Sequence, residues 1–115
     1  MSIQRLDVGP RMSQAVVHGD TVYLAGQVPT DRNVGAKEQT QQVLAKIDQL
    51  LAAAGSYRSK LLSATIWLKS MDDFAAMNEV WDAWVSPGNT PARACVQAEM
   101  ARPDILVEIA VIAAR

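Results

Sequence analysis

Apolar residues recur along the chain with two periods, and the change of period marks the elements. Between Ala36 and Ala54, Val43, Leu44, Ile47, Leu50, Leu51 and Ala54 return at helical spacing and form one face. Glu38, Gln42, Lys46 and Gln49 lie towards the other side, and Gly55 follows as a C-terminal stop. A second amphipathic helix carries Phe74, Met77, Trp81, Trp84 and Val85. Ser70 to Asp73 is an S-x-x-D start signal ahead of it, and the SPGN segment from Ser86 ends it. Elsewhere the pattern is β-like. Gln14–His18 and Thr21–Ala25 are β-rich runs separated by Gly19 and Asp20, which reads as a hairpin. Ile3–Val8 is a short first strand, Lys60–Lys69 is a strand apolar on both faces, and Ala92–Gln97 and Ile105–Ala113 are the last two strands.

The predicted order is therefore β-β-β-α-β-α-β-β, an α+β domain in which two helices cover one face of a mixed sheet. The strands are apolar on their other face too, where no helix remains to cover them. An open apolar sheet face is a liability on a monomer, so the patterning predicts that further copies of the chain bury it.

Length and charge narrow the picture. The 115 residues make one domain, 1–115, without repeat or linker. The net charge is −1, with no Lys/Arg run, which argues against a nucleic-acid partner. The longest apolar run, near the C-terminus, is only about ten residues, too short to span a bilayer. The opening MSIQRLDVG lacks the basic-then-apolar pattern of a signal peptide, so a cytoplasmic location is expected. A single cysteine and a single histidine, Cys95 and His18, exclude an internal disulfide and the usual zinc sites. No metal or other cofactor is expected.

Two charges stand against the apolar pattern. Arg93 lies among alanines in TPARACV, which reads as the start of a buried strand, and Glu108 stands alone in ILVEIAVIAA. Arginine is almost never fully buried unless paired, and a lone buried carboxylate is protonated or paired. Alternation sends Arg93, Cys95, Gln97 and Glu99 one way and Ala94, Val96 and Ala98 the other. The last two strands are expected to be adjacent, and one ionisable residue on each among apolar neighbours suggests that Arg93 and Glu108 share a polar pocket. One reading is a structural ion pair. The other is an anion site, with the Arg93 fork on a carboxylate and Glu108 orienting a water or moving a proton. Cys95 reads better as a small buried hydrophobe than as a nucleophile. His18 and Arg11 read as surface, and Trp81 and Trp84 as core. Gly26 permits close backbone approach, for packing or for a ligand. Met12 either lines a cleft mouth or packs.

At these residues the chain resembles the YjgF family, also called RidA, the reactive-intermediate deaminases. AGQVP (25–29), PARACV (91–96) and VEIAVIA (107–113) occur in the family's order, with a glutamate fifteen positions after the PAR arginine. The resemblance spans essentially the whole chain. It implies a chorismate-mutase-like fold and a homotrimer, with helices outside and active clefts between subunits. It implies hydrolysis of enamines and imines of the 2-iminobutanoate and 2-iminopropanoate type, such as those formed from 2-aminoacrylate, to 2-keto acids and ammonia. By the same resemblance Arg93 holds the substrate carboxylate, Glu108 positions the water, and Cys95 lies beside the ligand and contributes mainly backbone. Met12 stands where many members carry tyrosine, Ala25 where serine is common and Thr90 where an aromatic is usual, and the loop after Pro29 is shorter. These departures mark a divergent branch.

The chemistry suits so small a set of groups. Water adds readily to an activated C=N bond, so positioning and a proton transfer worth roughly 10²–10⁴-fold are enough. A second reading, from another class, is a non-catalytic trimer that binds small carboxylates such as 2-keto acids in a regulatory or scaffold role. A third is a general protein-interaction role that needs no pocket.

Overall fold

A computed structural model describes residues 2–115. The strands are β1 (Ile3–Val8), β2 (Ser13–His18), β3 (Thr21–Leu24), β4 (Leu61–Leu68), β5 (Ala92–Gln97) and β6 (Val107–Ala114). The helices are α1 (Ala36–Ala53), between β3 and β4, and α2 (Phe74–Trp84), between β4 and β5. All six strands form one sheet in the order β1-β2-β3-β6-β4-β5, antiparallel except for the β4–β5 pair. The molecule measures 43 × 37 × 20 Å. A helix is about 10 Å across and a packed layer about 10 Å deep, so 20 Å admits one helical layer on one sheet.

The two helices form where the periodicity placed them. On α1, Val43, Leu44, Ile47, Leu50 and Leu51 are all buried, and the helix ends at Gly55, whose φ of +81° suits a residue without a Cβ. There the Ser56 N–H donates to Leu51 O at 2.8 Å, tying off a terminal carbonyl. Ahead of α2, the Ser70 hydroxyl accepts from the Asp72 N–H at 3.1 Å, as the start signal predicts, and a single 3₁₀ turn over Met71–Asp73 leads in. A second 3₁₀ turn, Arg58–Lys60, precedes β4. Gln39 of α1 is fully buried and bonds the segment entering β6. Its Nε2 donates to Asp104 O (2.9 Å) and its Oε1 accepts from Leu106 N (2.8 Å). This anchor sets the height at which β6, and Glu108 with it, enters the sheet.

One sheet face packs on the helices through Ala15, Val17, Val22, Leu24, Ala64, Ile66, Leu68, Ile109 and Val111. The opposite face has no covering layer, as the patterning expects. Ladder registers set its rows: Val16, Tyr23 and Ile112, then Ala110, Thr65 and Ala94, then Glu108, Trp67 and Val96. Tyr23 is 45% exposed and Val96 49%, so large apolar groups here meet solvent in a single chain.

Two expectations need correction. β5 is not a buried strand but an edge strand, and most of its residues are exposed. Its alanines and cysteine read as core because they are small and apolar, not because both sides are paired. Nor are β5 and β6 adjacent, because β4 lies between them. No helix among the described residues is long and apolar enough to cross a membrane.

Candidate functional site

Glu108 lies second in β6 on the uncovered face. Directly opposite it on β4 stands Trp67, whose indole shares that face. On the other flank the chain leaving β3 is drawn against β6 by a two-way bridge, Gln27 N to Ile109 O at 2.8 Å and Ile109 N to Gln27 O at 3.1 Å. The bridge lays Gly26 across the carboxylate. A methyl group at Gly26 would overlap the Glu108 Oε2 atom, so only glycine leaves the carboxylate its place. Gln27 is itself buried, and its side-chain amide donates to Gln14 Oε1 (2.9 Å) and Ala25 O (3.0 Å), which fixes the turn. Burial pushes the Glu108 carboxyl above its ordinary value, and no neighbouring cation among the described residues offsets it. Gly26 and Met12 line one open cleft of about 370 Å³, together with Asp7, Gln14, Gln27 and Lys46. Met12 is 53% exposed at its mouth, a lining side chain rather than a packed one. Asp7 takes φ 50° there, facing Gln14 between the pairs Leu6–Ala15 and Val8–Ser13, a left-handed backbone that aspartate tolerates better than most residues.

Arg93 lies elsewhere. It is the second residue of β5, in register with Ala64, and so stands on the helix-covered side. From there its side chain reaches α2. Nη1 donates to Asn78 Oδ1 at 2.8 Å, and Cζ lies 5.3 Å from the centre of the Trp81 ring. Cys95, opposite Ile66, follows on the same side and is half-buried. Burial raises its thiol pKa, and the nearby Arg93 charge only partly opposes that. The thiol is therefore protonated at neutral pH, which fits the reading of Cys95 as a small packed residue. Trp81 and Trp84 are buried, as expected, with ring centres 5.4 Å apart.

The expected residues thus fall into two groups. Glu108 and Gly26 meet where the chain leaving β3 joins β6, Met12 and Gly26 line the neighbouring cleft beside α1, which Glu108 does not line, and Arg93 and Cys95 lie at the β5 edge. Arg93 and Glu108 are two strands apart and point to opposite faces, so within one chain they form neither a shared pocket nor an ion pair. Among the described residues no group of three or more His, Cys, Asp or Glu side chains is placed to hold a metal. Trp67, Gln14, Gln27 and Asn78 were not singled out from sequence. The available signal for Asn78 was its place one turn before Trp81 on the α2 face that reaches the arginine.

Comparison with known proteins covers the whole of this arrangement. The family model described as endoribonuclease L-PSP matches residues 2–115. The RutC family protein YoaB of Escherichia coli K12 is 46% identical over 114 residues, 99% of each chain. A RutC family protein of Pyrococcus horikoshii is 39% identical over 92% of this chain and 87% of its own. The crystal structure of a YjgF-family protein from Neisseria meningitidis superposes with a TM-score of 0.98 at 48% identity, covering all of this chain and 96% of that one.

Proposed function

The chain belongs to the YjgF (RidA, L-PSP) family, and on that premise we propose that it is a cofactor-free deaminase of 2-imino acids. It works as a homotrimer whose clefts each take Arg93 from one protomer and Glu108 from its neighbour. The observation that carries this reading is the separation of the two groups. Each is prepared for a ligand, and each lacks what the other offers.

Arg93 has one amino group engaged and its Nε–Nη2 edge without a protein acceptor among the described residues. That edge matches a carboxylate in two parallel hydrogen bonds. Glu108 has a carboxyl raised by burial, which makes it a better proton acceptor than an ordinary carboxylate. A 2-imino acid has the matching ends, a carboxylate beside a C=N carbon. Held by Arg93, the imine presents its carbon to a water near Glu108. The water oxygen attacks the carbon of the protonated imine while Glu108 takes a proton, and a neutral carbinolamine results. Glu108 returns that proton to nitrogen, the C–N bond breaks as the hydroxyl gives up its own proton to Glu108, and ammonia leaves a 2-keto acid. The uncovered sheet face supports the assembly, because a second copy would remove Tyr23, Val96 and their neighbours from water. Cys95, Gly26 and Met12 line the same clefts. The endoribonuclease named in the family description has less support, because a net charge of −1 offers little to an RNA backbone.

The test is a coupled assay. An amino-acid oxidase generates a panel of 2-imino acids, semicarbazide traps them, and the chain competes with the trap. Loss of trapped product with the wild type and not with Arg93→Ala supports the proposal. No competition on any imine removes the deaminase and leaves the non-catalytic carboxylate binder.

A further inference from the structure

The fold carries two arginines stacked on tryptophans of the same helix, and they are held differently. Arg58 lies over Trp84 at 5.2 Å and is fully engaged. Its Nε and Nη2 donate to the two oxygens of Asp48, each at 2.9 Å, and its Nη1 donates to Trp84 O at 3.1 Å. The Trp84 indole N–H donates to the same carboxylate at 3.0 Å. Charge and fork are both satisfied, and the arrangement fastens the Arg58 turn to α1 and α2. Arg93 lies over Trp81 at a nearly equal 5.3 Å, but its one polar partner is the Asn78 amide.

We propose that Asn78 is a positioning residue for Arg93, holding Nη1 while the guanidinium carbon lies over the Trp81 ring, so that the Nε–Nη2 edge faces an anionic ligand. The inference rests on the reading that Arg93 receives the substrate carboxylate. Asn78 and Trp81 are three residues apart on α2, so one helix face supplies both supports. The amide fixes the guanidinium without neutralising it, because its oxygen accepts a hydrogen bond and carries no net charge. A carboxylate at the same place would fix it equally well. It would also satisfy the charge internally, as Asp48 does for Arg58, and would compete with an incoming anion.

The experiment measures 2-oxobutanoate binding by calorimetry and imine hydrolysis in the coupled assay, for wild type, Asn78→Asp, Asn78→Ala and Arg93→Ala. Asn78→Asp is expected to raise both Kd and KM about tenfold or more, with kcat within about twofold and the thermal midpoint unchanged. Asn78→Ala is expected to raise them less, since the charge remains available and only the aim is lost. A merely structural asparagine would move the thermal midpoint and leave Kd alone, and that result overturns the inference. Arg93→Ala separates the two levels. If it abolishes binding while Asn78→Asp binds like wild type, only the role of Asn78 falls. If the wild type does not bind 2-oxobutanoate, or Arg93→Ala binds it equally well, the carboxylate reading of Arg93 falls, and the inference with it.

Discussion

On the uncovered face, Glu108 is held by backbone. The Gln27–Ile109 bridge brings Gly26 over it, Trp67 stands across from it, and the resulting burial raises its carboxyl. At the β5 edge, Arg93 is held by side chains of a helix and remains largely in water. The carboxylate corner is shaped before anything binds, and the arginine edge is a charge kept aimed and unspent. A half-buried acid without a cation is a poor stability element, and so is an edge arginine with a neutral partner. Both arrangements make chemical sense when each group meets something from outside its own chain.

The largest effects should follow from removing either group. Arg93→Ala and Glu108→Gln are each expected to lower kcat/KM for imine hydrolysis by about 100-fold or more. The losses should differ in kind. Arg93→Ala should act mainly through KM and Glu108→Gln mainly through kcat, which steady-state kinetics resolves. Equal KM effects would erase the distinction between the two regions.

Gly26→Ala sharpens the comparison at the backbone-held side. The new methyl overlaps the Glu108 carboxylate and forces it or the Gln27 turn to move. Because the methyl meets only the end of a flexible side chain, a loss under about 1 kcal/mol of stability but about tenfold in kcat is expected, read by denaturant unfolding and the coupled assay. A serine at an exposed β5 position, Ala94→Ser, should leave the stability of the isolated chain within about 0.5 kcal/mol.

The smallest effect is in pH dependence. The folded chain holds the Glu108 proton more tightly than the unfolded chain, whose carboxyl titrates near 4.5. Ionising Glu108 therefore lowers stability as pH rises from that value through the raised one. Glu108→Gln should be slightly more stable than wild type at neutral pH, with the gap closing below about pH 4, as thermal melts at several pH values would show. Activity runs the other way. It needs the ionised carboxylate, so kcat should fall as pH drops through the raised pKa, and Glu108→Gln should lack that inflection.

Much of this fold is legible in the sequence. The α1 face was readable from Val43, Ile47, Leu50 and Leu51 because a helix repeats its contacts every turn, and β5 lies where alternation placed it, at Ala92–Gln97. The apolar second face was likewise readable. Strand order was not, because alternation sorts the residues of one strand into two sides and does not say which strand lies next to it. Arg93 and Glu108 could therefore be recognised as exceptions, while the β4 strand between them could not. The Arg58–Lys60 turn and the Asn78 support were hidden for the same reason, since each depends on residues distant in the chain. The YjgF resemblance supplied what periodicity lacks, an expectation that the clefts lie between subunits.

The most direct test of a site divided between chains is complementation. Arg93→Ala and Glu108→Gln chains are unfolded together in equal amounts, refolded and assayed for imine hydrolysis. In randomly mixed trimers about a quarter of the clefts pair an intact Arg93 with an intact Glu108 of the neighbour, so about a quarter of wild-type activity should return. If the mixture stays as inactive as either variant alone while light scattering shows mixed trimers, the two groups do not work across a subunit boundary and the account is wrong.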